Sequence, residues 1–243
     1  MPADLVFIAA LRAAFAGHAD PARAAPMQVY MKSTLPFYGI AAPLRRRLTA
    51  VVVKAHPMPN VLTLGSTMRH LWRTARRREE RYAAMELGRV GANARLMSLA
   101  LLPLYEEMIV AGAWWDYCDD ISGAAVARLL TSYPSELKPI LRRWANGDDL
   151  WLRRAAILCQ RRLKSAIDAK LLYETILPSI GNSRFANEFF LRRGIGWALR
   201  ERSYDSPEEV LVFCREYDAQ LSPLTRREAL KILTRRARTT GTS

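Results

Sequence analysis

Apolar residues recur along the chain at the spacing of amphipathic helices, and the strict alternation of a half-buried strand is missing. Even the valine run 51–53 lies inside a helical pattern. Helix starts are marked by Ser206-Pro207, Ser222-Pro223 and Asp149, and Ser183 is placed to cap a helix containing Phe189. The pattern predicts an all-α chain with helices over 4–17, 22–32, 43–55, 60–73, 76–89, 93–111, 114–131, 135–145, 149–163, 167–179, 184–200, 206–217 and 223–237.

A weak internal repeat predicts how these helices are arranged. Residues 151–158 resemble residues 190–197, and a related segment follows at 225–230. Each contains an Arg-Arg pair followed by small and apolar residues, a pattern typical of a HEAT-like helical-repeat superhelix, an α-solenoid with a concave face. We expect one such domain over residues 1–243, with the last few residues disordered. Each paired arginine has two interpretations, a structural ladder between repeats or a ligand contact.

The charge balance of the chain indicates what kind of partner it binds. The chain carries 37 Lys and Arg against 23 Asp and Glu, a formal net charge of +14, and most of its cations are arginines. Arginine matches phosphate oxygens with a planar fork of donors, so this excess favours a nucleic-acid partner. The alternative is a generally basic surface. Basic clusters at 45–47, 76–78, 161–162, 192–193 and 235–236 recur along the helices, and a solvated face is the other interpretation of each.

The positions of the cysteines and histidines argue against a zinc site. Cys118, Cys159 and Cys214 form no C-x-x-C pair, and no histidine lies near them, which argues against zinc and fits a reduced compartment.

Asp4 precedes the first apolar stretch and Arg12 interrupts it, so this stretch is an amphipathic helix and not a signal peptide. No apolar run is long enough to span a membrane. We expect a cytoplasmic, nucleoid-associated monomer without metal or cofactor.

The densest candidate for chemistry is the segment 114–120, with two tryptophans and three aspartates. Trp115 and Asp119 are four residues apart and share one face of a helix. The alternative is that Asp116 caps this helix and the aromatic side chains only pack. Under the repeat, Arg154 and Trp197 lie on equivalent faces of later helices and would converge with Asp119 on one surface.

Five groups of segments form a recognisable set along the chain. They are 30–40 with 43–46, then 114–119 (WWD-x-x-D), 151–158 (W-L-x-R-x-A-I-L), 195–201 (I-G-W-x-L-R-E) and 223–229 (P-L-x-x-R-E-A). In these segments, which run in order over nearly the whole chain from about residue 28 to 235, the sequence resembles the AlkD-type DNA alkylation repair family, which consists of HEAT-like-repeat DNA glycosylases.

The resemblance implies a DNA glycosylase that hydrolyses the N-glycosidic bond of cationic N3- and N7-alkylated purines in double-stranded DNA. The family's catalytic carboxylate matches Asp119, its two flanking tryptophans match Trp115 and Trp197, and a positioning arginine matches Arg154. Tyr30 matches a tyrosine near the same groove. The family is held to work without a base-flipping pocket, which would allow bulky adducts.

Further DNA contacts are expected from basic residues outside this group, and Arg154 itself is expected to hold a backbone phosphate. The other candidates are Lys32, Arg45, Arg46, Arg192 and Arg193. Two further hypotheses stay open: a non-catalytic binder of damaged or branched DNA on the same scaffold, and a HEAT-type protein scaffold. The sequence leaves open which adduct is preferred, and whether the role is general base-excision repair or resistance to one genotoxic compound.

Overall fold

Helices account for all the regular secondary structure in the described part of the chain, so the predicted all-α fold is confirmed. The structure, a computed structural model, describes the backbone of residues 1–240 and the side chains of residues 1–235. The disorder predicted for the last few residues concerns positions outside this range.

The chain divides into two compact units, Met1–Met108 and Ile109–Ser243. The described helices of the first unit are α1 (Leu5–Ala16), α2 (Pro21–Met31), α3 (Ala42–Ala55), α4 (Val61–Arg73) and α5 (Arg78–Glu86), and the division falls within α6 (Leu102–Gly112). Those of the second are α7 (Trp115–Asp120), α8 (Ala127–Ser132), α9 (Pro134–Asn146), α10 (Leu150–Leu158), α11 (Ala169–Ile176), α12 (Phe189–Arg202), α13 (Pro207–Glu216) and α14 (Pro223–Thr240). The single domain predicted for residues 1–243 stays a prediction.

In the first unit, a buried carboxylate fixes the loop between α2 and α3. Glu79, fully buried on α5, accepts hydrogen bonds from the backbone N–H groups of Tyr38 (2.9 Å), Gly39 (2.9 Å) and Ile40 (3.1 Å). Gly39 has a φ of 87°, and a Cβ there would lie 2.1 Å from the carbonyl oxygen of Asp20. Part of the segment 30–40 is therefore fixed by folding requirements, since only glycine fits this close approach.

The second unit is built from helix pairs in two rows. Helices α7, α10, α12 and α14 are successive neighbours in one row. In the other row α9 packs against α11, and Tyr173 of α11 stacks on Phe213 of α13 with ring centroids 4.6 Å apart. The three predicted repeat segments lie on α10, α12 and α14, so they are equivalent second helices of successive pairs. This arrangement within the unit is consistent with an α-solenoid.

The first arginine of the first two repeated pairs has a structural role. Arg153 donates from Nε to the carbonyl oxygen of Gly147, six residues earlier, at 2.7 Å. Arg192 makes the same bond to Ala186, also six residues earlier and at 2.7 Å. Both arginines tie the start of their helix to the preceding loop, which supports the ladder interpretation for this position.

The helix predicted over 93–111 is wrong at its first half. Residues Gly91–Leu96 and Leu99–Leu101 form 3₁₀ turns, and the α-helix begins only at Leu102. The buried Asn93 accepts from the Met58 backbone N–H (3.1 Å) and donates to the Leu87 carbonyl (3.3 Å), which commits it to a turn. Pro103 is compatible with the first turn of α6 but not with a helix interior.

The start predicted for the helix over 184–200 is also wrong. The helix begins at Phe189, and Glu188 occupies its N-cap position without a side-chain bond. Ser183 instead accepts a hydrogen bond from the backbone N–H of Phe185 (3.3 Å) and stabilises a local turn. In contrast, Asp149 caps α10 and Ser222 bonds to the Thr225 N–H at the start of α14, as predicted.

Candidate active site

The helix that contains Asp119 has a π-helical segment that begins two residues after it. Trp114 is extended, α7 begins at Trp115, and the turns over Ile121–Val126 are π-helical before α8 continues. The sequence predicts one helix over 114–131, which is correct for its extent but not for this π segment. Such segments are rare and occur often at functional sites. The N-cap position belongs to Trp114, so Asp116 is not the N-cap residue, although its Oδ1 accepts from the Tyr117 N–H in the first turn at 2.9 Å.

Asp119 and Arg154 form a two-pronged ion pair. Arg154 donates from Nε to Oδ1 and from Nη2 to Oδ2 of Asp119, each at 2.7 Å. The arginine is 1% exposed, and the Asp119 side chain is 13% exposed. Charged groups removed from water are tolerated when the geometry of the pair is this good, and the planar fork also fixes the orientation of the carboxylate.

The third nitrogen of Arg154 links the pair to α12. Its Nη1 donates to the carbonyl oxygen of Phe190, in the first turn of that helix. A Cβ at Gly194 would lie 2.9 Å from this nitrogen, so the glycine leaves room for the guanidinium. Asp119 on α7 is thus held by a side chain of α10 that is itself anchored on α12.

Of the tryptophans near Asp119, one packs against other aromatic rings and two belong to the candidate site. Trp114 contacts Trp151 and Phe190, with ring centroids 6.4 and 5.7 Å apart, as expected for packing. Trp115 is half-buried and lies one helical turn before Asp119 on α7. Trp197 is half-buried on α12, and the guanidinium carbon of Arg154 lies 5.5 Å from its ring centroid. The structure therefore brings Asp119, Arg154 and Trp197 together by contact, and Trp115 by helix register.

Two more arginines surround Trp197. The guanidinium carbons of Arg161 and Arg193 lie 5.5 and 5.0 Å from its ring centroid. Burial lowers the pKa of Arg161, and the Asp119 carboxylate opposes that shift. Arg193 is a predicted DNA-contact residue, whereas the sequence indicates Arg161 only as part of the basic cluster 161–162. Arg161 lies in the turn after α10, where the sequence predicts more helix. Its place beside Trp197 depends on the packing of α10 against α12.

Cys118, the neighbour of Asp119, takes no part in chemistry. It is fully buried, and its thiol donates to the carbonyl oxygen of Trp151 (3.3 Å). Burial, followed by the Asp119 carboxylate, raises the pKa of the thiol well above its ordinary value. A buried neutral thiol is a poor nucleophile.

The predicted DNA-contact residues of the first unit differ in exposure. Tyr30 is 74% exposed on α2, and Lys32 follows that helix in the left-handed region with a φ of 48°. Arg45 is buried, 2.6 Å from Glu86, whereas the exposed Arg46 is 3.3 Å from the same carboxylate. Tyr30, Lys32 and Arg46 are accessible to a ligand, while Arg45 is held inside the unit.

The described residues form neither a membrane-spanning helix nor a group of metal ligands. No described helix combines the length and apolar character needed to cross a membrane. In the same part of the chain, no three or more His, Cys, Asp or Glu side chains are grouped so that they could hold a metal ion.

Comparisons with known proteins identify the family. A model of the DNA alkylation repair enzyme family matches residues 11–233. A solved structure described as a predicted DNA alkylation repair enzyme from Enterococcus faecalis is 30% identical, with a TM-score of 0.76 over 88% of this chain and 95% of that one. No curated protein gives a significant match. The chain belongs to the family of DNA alkylation repair enzymes, a membership that implies DNA as its partner.

Proposed function

We propose that this chain is a monofunctional DNA glycosylase that hydrolyses the N-glycosidic bond of cationic N3- and N7-alkylated purines in duplex DNA. The observation that carries the proposal is the carboxylate of Asp119, oriented by the buried Arg154 beside Trp197. Family membership supports a role in the repair of alkylation damage. The geometry of the site supports a reaction in which one carboxylate acts on the deoxyribose of the alkylated nucleotide.

A single carboxylate is sufficient for this reaction. An N3- or N7-alkylated purine already carries a positive charge, so it leaves as a neutral base when its bond to C1′ breaks and the electron pair moves to the purine nitrogen. Most glycosidases need a second carboxyl group to protonate the leaving group. That need is removed here, which agrees with the placement of one carboxylate in the Arg154 pair.

Asp119 acts on the charge that develops on the sugar. As the bond breaks, C1′ becomes an oxocarbenium-like centre, which an anionic carboxylate stabilises. Water then adds to C1′ and gives up its proton, with Asp119 as the base that orients the water and accepts the proton. A carboxylate has about four lone-pair sites. Arg154 uses two of them, so others are left for the sugar and the water.

For Arg154 we propose a positioning role in place of the phosphate contact predicted from the sequence. Its Nε and Nη2 are bound to Asp119 and its Nη1 to the Phe190 carbonyl. A phosphate contact would require the guanidinium to leave these partners and to become exposed. Orientation of the carboxylate needs no such rearrangement, and a misplaced reacting group loses much of its effect.

Trp115 and Trp197 present aromatic rings to the cationic sugar and base. An aromatic face near a cation contributes on the order of 0.5–2 kcal/mol. Both side chains are half-buried, so part of each ring is accessible. The concave groove, the tolerance of bulky adducts, the monomeric state and the DNA contacts of Tyr30, Lys32 and Arg46 stay predictions of this proposal. The DNA contact predicted for Arg45 would require this buried side chain to leave Glu86, so we do not include it in the proposal.

Release of free base tests the proposal. The protein is incubated with a duplex carrying 7-methylguanine or 3-methyladenine, with a duplex carrying a bulky N7-purine adduct, and with the unmodified duplex. Liquid chromatography with mass spectrometry identifies the free bases. We expect an alkylated purine and an abasic site from a modified duplex and no base from the control. Binding to modified DNA without base release, even with enzyme in excess, would mean a non-catalytic DNA binder.

A further inference from the structure

Trp197 is the centre of a group of positive charge next to the candidate carboxylate. Three guanidinium groups lie within 5.5 Å of its ring centroid, those of Arg154, Arg161 and Arg193. Arg154 is neutralised by Asp119. The other two, which we call the Trp197 arginine pair, contact aromatic rings: Arg161 contacts Trp197, and Arg193 contacts both Trp197 and Phe189.

Several other arginines of this unit have polar partners within the protein. Arg153 and Arg192 donate to backbone carbonyl oxygens. Further arginines are paired with carboxylates, namely Arg142 with Glu174, Arg184 with Asp148, Arg200 with Glu228, Arg202 with Glu209 and Arg226 with Asp218. The Trp197 arginine pair differs from all of these, because in the described part of the chain its guanidinium groups have neither a carboxylate nor a carbonyl partner.

Of the Trp197 arginine pair, Arg161 is half-buried and Arg193 is exposed. Burial lowers the pKa of Arg161, which means that its charged form loses hydration in the folded chain. Stacking on an aromatic ring compensates only part of that loss, whereas a phosphate oxygen provides charge-assisted hydrogen bonds to a planar guanidinium. The N–H donors of both arginines are therefore available to an anion that binds from outside.

We propose that Arg161 and Arg193 bind the phosphodiester backbone on either side of the nucleotide that Trp197 contacts, so that arginine, tryptophan and arginine match phosphate, sugar and phosphate of one strand. This inference rests on the proposed function for the identity of the ligand. It separates the tasks at the site: Arg154 orients the carboxylate, and the Trp197 arginine pair holds the strand in register. It also assigns the structural task to Arg192 and the DNA contact to Arg193.

The salt dependence of DNA binding tests this assignment without any chemistry. Binding of an unmodified fluorescent duplex is measured by anisotropy over a series of salt concentrations, for the full chain and for Arg161→Gln and Arg193→Gln. Each lost phosphate contact should reduce the slope of log K against log salt by about 0.9. The double variant should lose about 1.8. Circular dichroism melts confirm that each variant is folded at the assay temperature.

Arg192→Gln is the matched control. It removes the same charge from the residue beside Arg193, but from a side chain already bound to the Ala186 carbonyl. Its slope should equal that of the unchanged protein, while its melting temperature falls. Arg161→Lys, which keeps the charge, should retain the slope. Unchanged slopes in Arg161→Gln and Arg193→Gln, or an equal loss in Arg192→Gln, would overturn the inference.

The outcome is separable from that of the proposed function. If the slopes fall as expected but no base is released from modified DNA, the phosphate contacts stand and the glycosylase proposal fails. If base is released and the slopes do not change, the glycosylase proposal stands and this inference fails.

Discussion

Arg154 binds both carboxylate oxygens of Asp119 at 2.7 Å and is itself bonded to the Phe190 carbonyl on the next helix of the row. The orientation of the candidate catalytic group is thus determined by α10 and α12 as well as by its own helix α7. Because each contact comes from a different element, the carboxylate is held more rigidly than by its side-chain rotamer alone.

Replacing Arg154 with lysine separates orientation from charge. A lysine ammonium keeps the charge but cannot bind both carboxylate oxygens and the Phe190 carbonyl as a planar fork. We expect base release at saturating DNA to slow about 10- to 100-fold. Binding of unmodified duplex should keep its salt slope, since Arg154 is buried and paired. An unchanged rate in Arg154→Lys, together with a reduced salt slope in the charge-removing Arg154→Gln, would instead make Arg154 a phosphate contact.

Arg153→Lys is the matched control for that measurement. Arg153 precedes Arg154 on α10 but bonds to the carbonyl oxygens of Gly147 and Pro178 at 2.7 and 2.6 Å. Its replacement should lower the melting temperature and leave the rate of base release by the folded protein unchanged.

The two site tryptophans should contribute to the rate through their rings. Replacing Trp115 or Trp197 with alanine removes a cation–π contact of on the order of 0.5–2 kcal/mol, which corresponds to a loss of roughly 2- to 30-fold in rate. Phenylalanine should recover part of the loss. The control is Trp144→Phe, because Trp144 is buried on α9 and should affect stability alone. Alanine variants with the full single-turnover rate would remove the rings from the mechanism.

Glu79 should dominate the stability of the first unit. In Glu79→Gln the amide keeps one acceptor oxygen and turns its NH₂ group toward backbone donors that the carboxylate now binds. We expect a loss of about 2–4 kcal/mol in the free energy of unfolding, because buried donors lose their acceptor. Denaturant titration measures it, with Glu106→Gln, a partly exposed position in the same unit, as control. Equal unfolding midpoints for the two variants would contradict this role.

The three thiols should be inert in the folded protein. All are buried, and burial raises the pKa of Cys159 to about 12 and that of Cys214 to about 11, with Cys118 also raised. Since the thiolate is the reactive form, a maleimide at neutral pH should label the native protein slowly and the urea-unfolded protein at three positions. Mass spectrometry counts the labels. Rapid labelling of Cys118 in the native state would contradict its burial.

The sequence predicts the helices and the repeat because apolar spacing and capping residues are local signals. It also predicts Trp115, Asp119, Arg154 and Trp197 as a group through the family resemblance. Failures occur where distant residues decide the local structure. Asn93 forms a turn because of its hydrogen bonds to Met58 and Leu87, and no feature of the segment 93–111 predicts these two bonds.

Prediction of the site from the sequence is limited in the same way, because distant residues decide its contacts. The packing of α7, α10 and α12 determines the partners of Asp119, Arg154 and Arg161. The repeat predicts equivalent faces but not which nitrogen binds which oxygen. The sequence consequently assigns Arg154 to phosphate, whereas in the structure its donors face Asp119 and Phe190.

Asp119→Asn tests the central claim most directly, because it removes the charge and keeps the shape. The measurement is the single-turnover rate of base release from a 7-methylguanine duplex, at a temperature where melts show the variant folded, since it leaves a buried arginine without its ion-pair partner. Asp120→Asn is the adjacent control and should retain the rate. We predict a loss on the order of 10²–10³-fold for Asp119→Asn. Base release at the rate of the unchanged protein would contradict the role of Asp119.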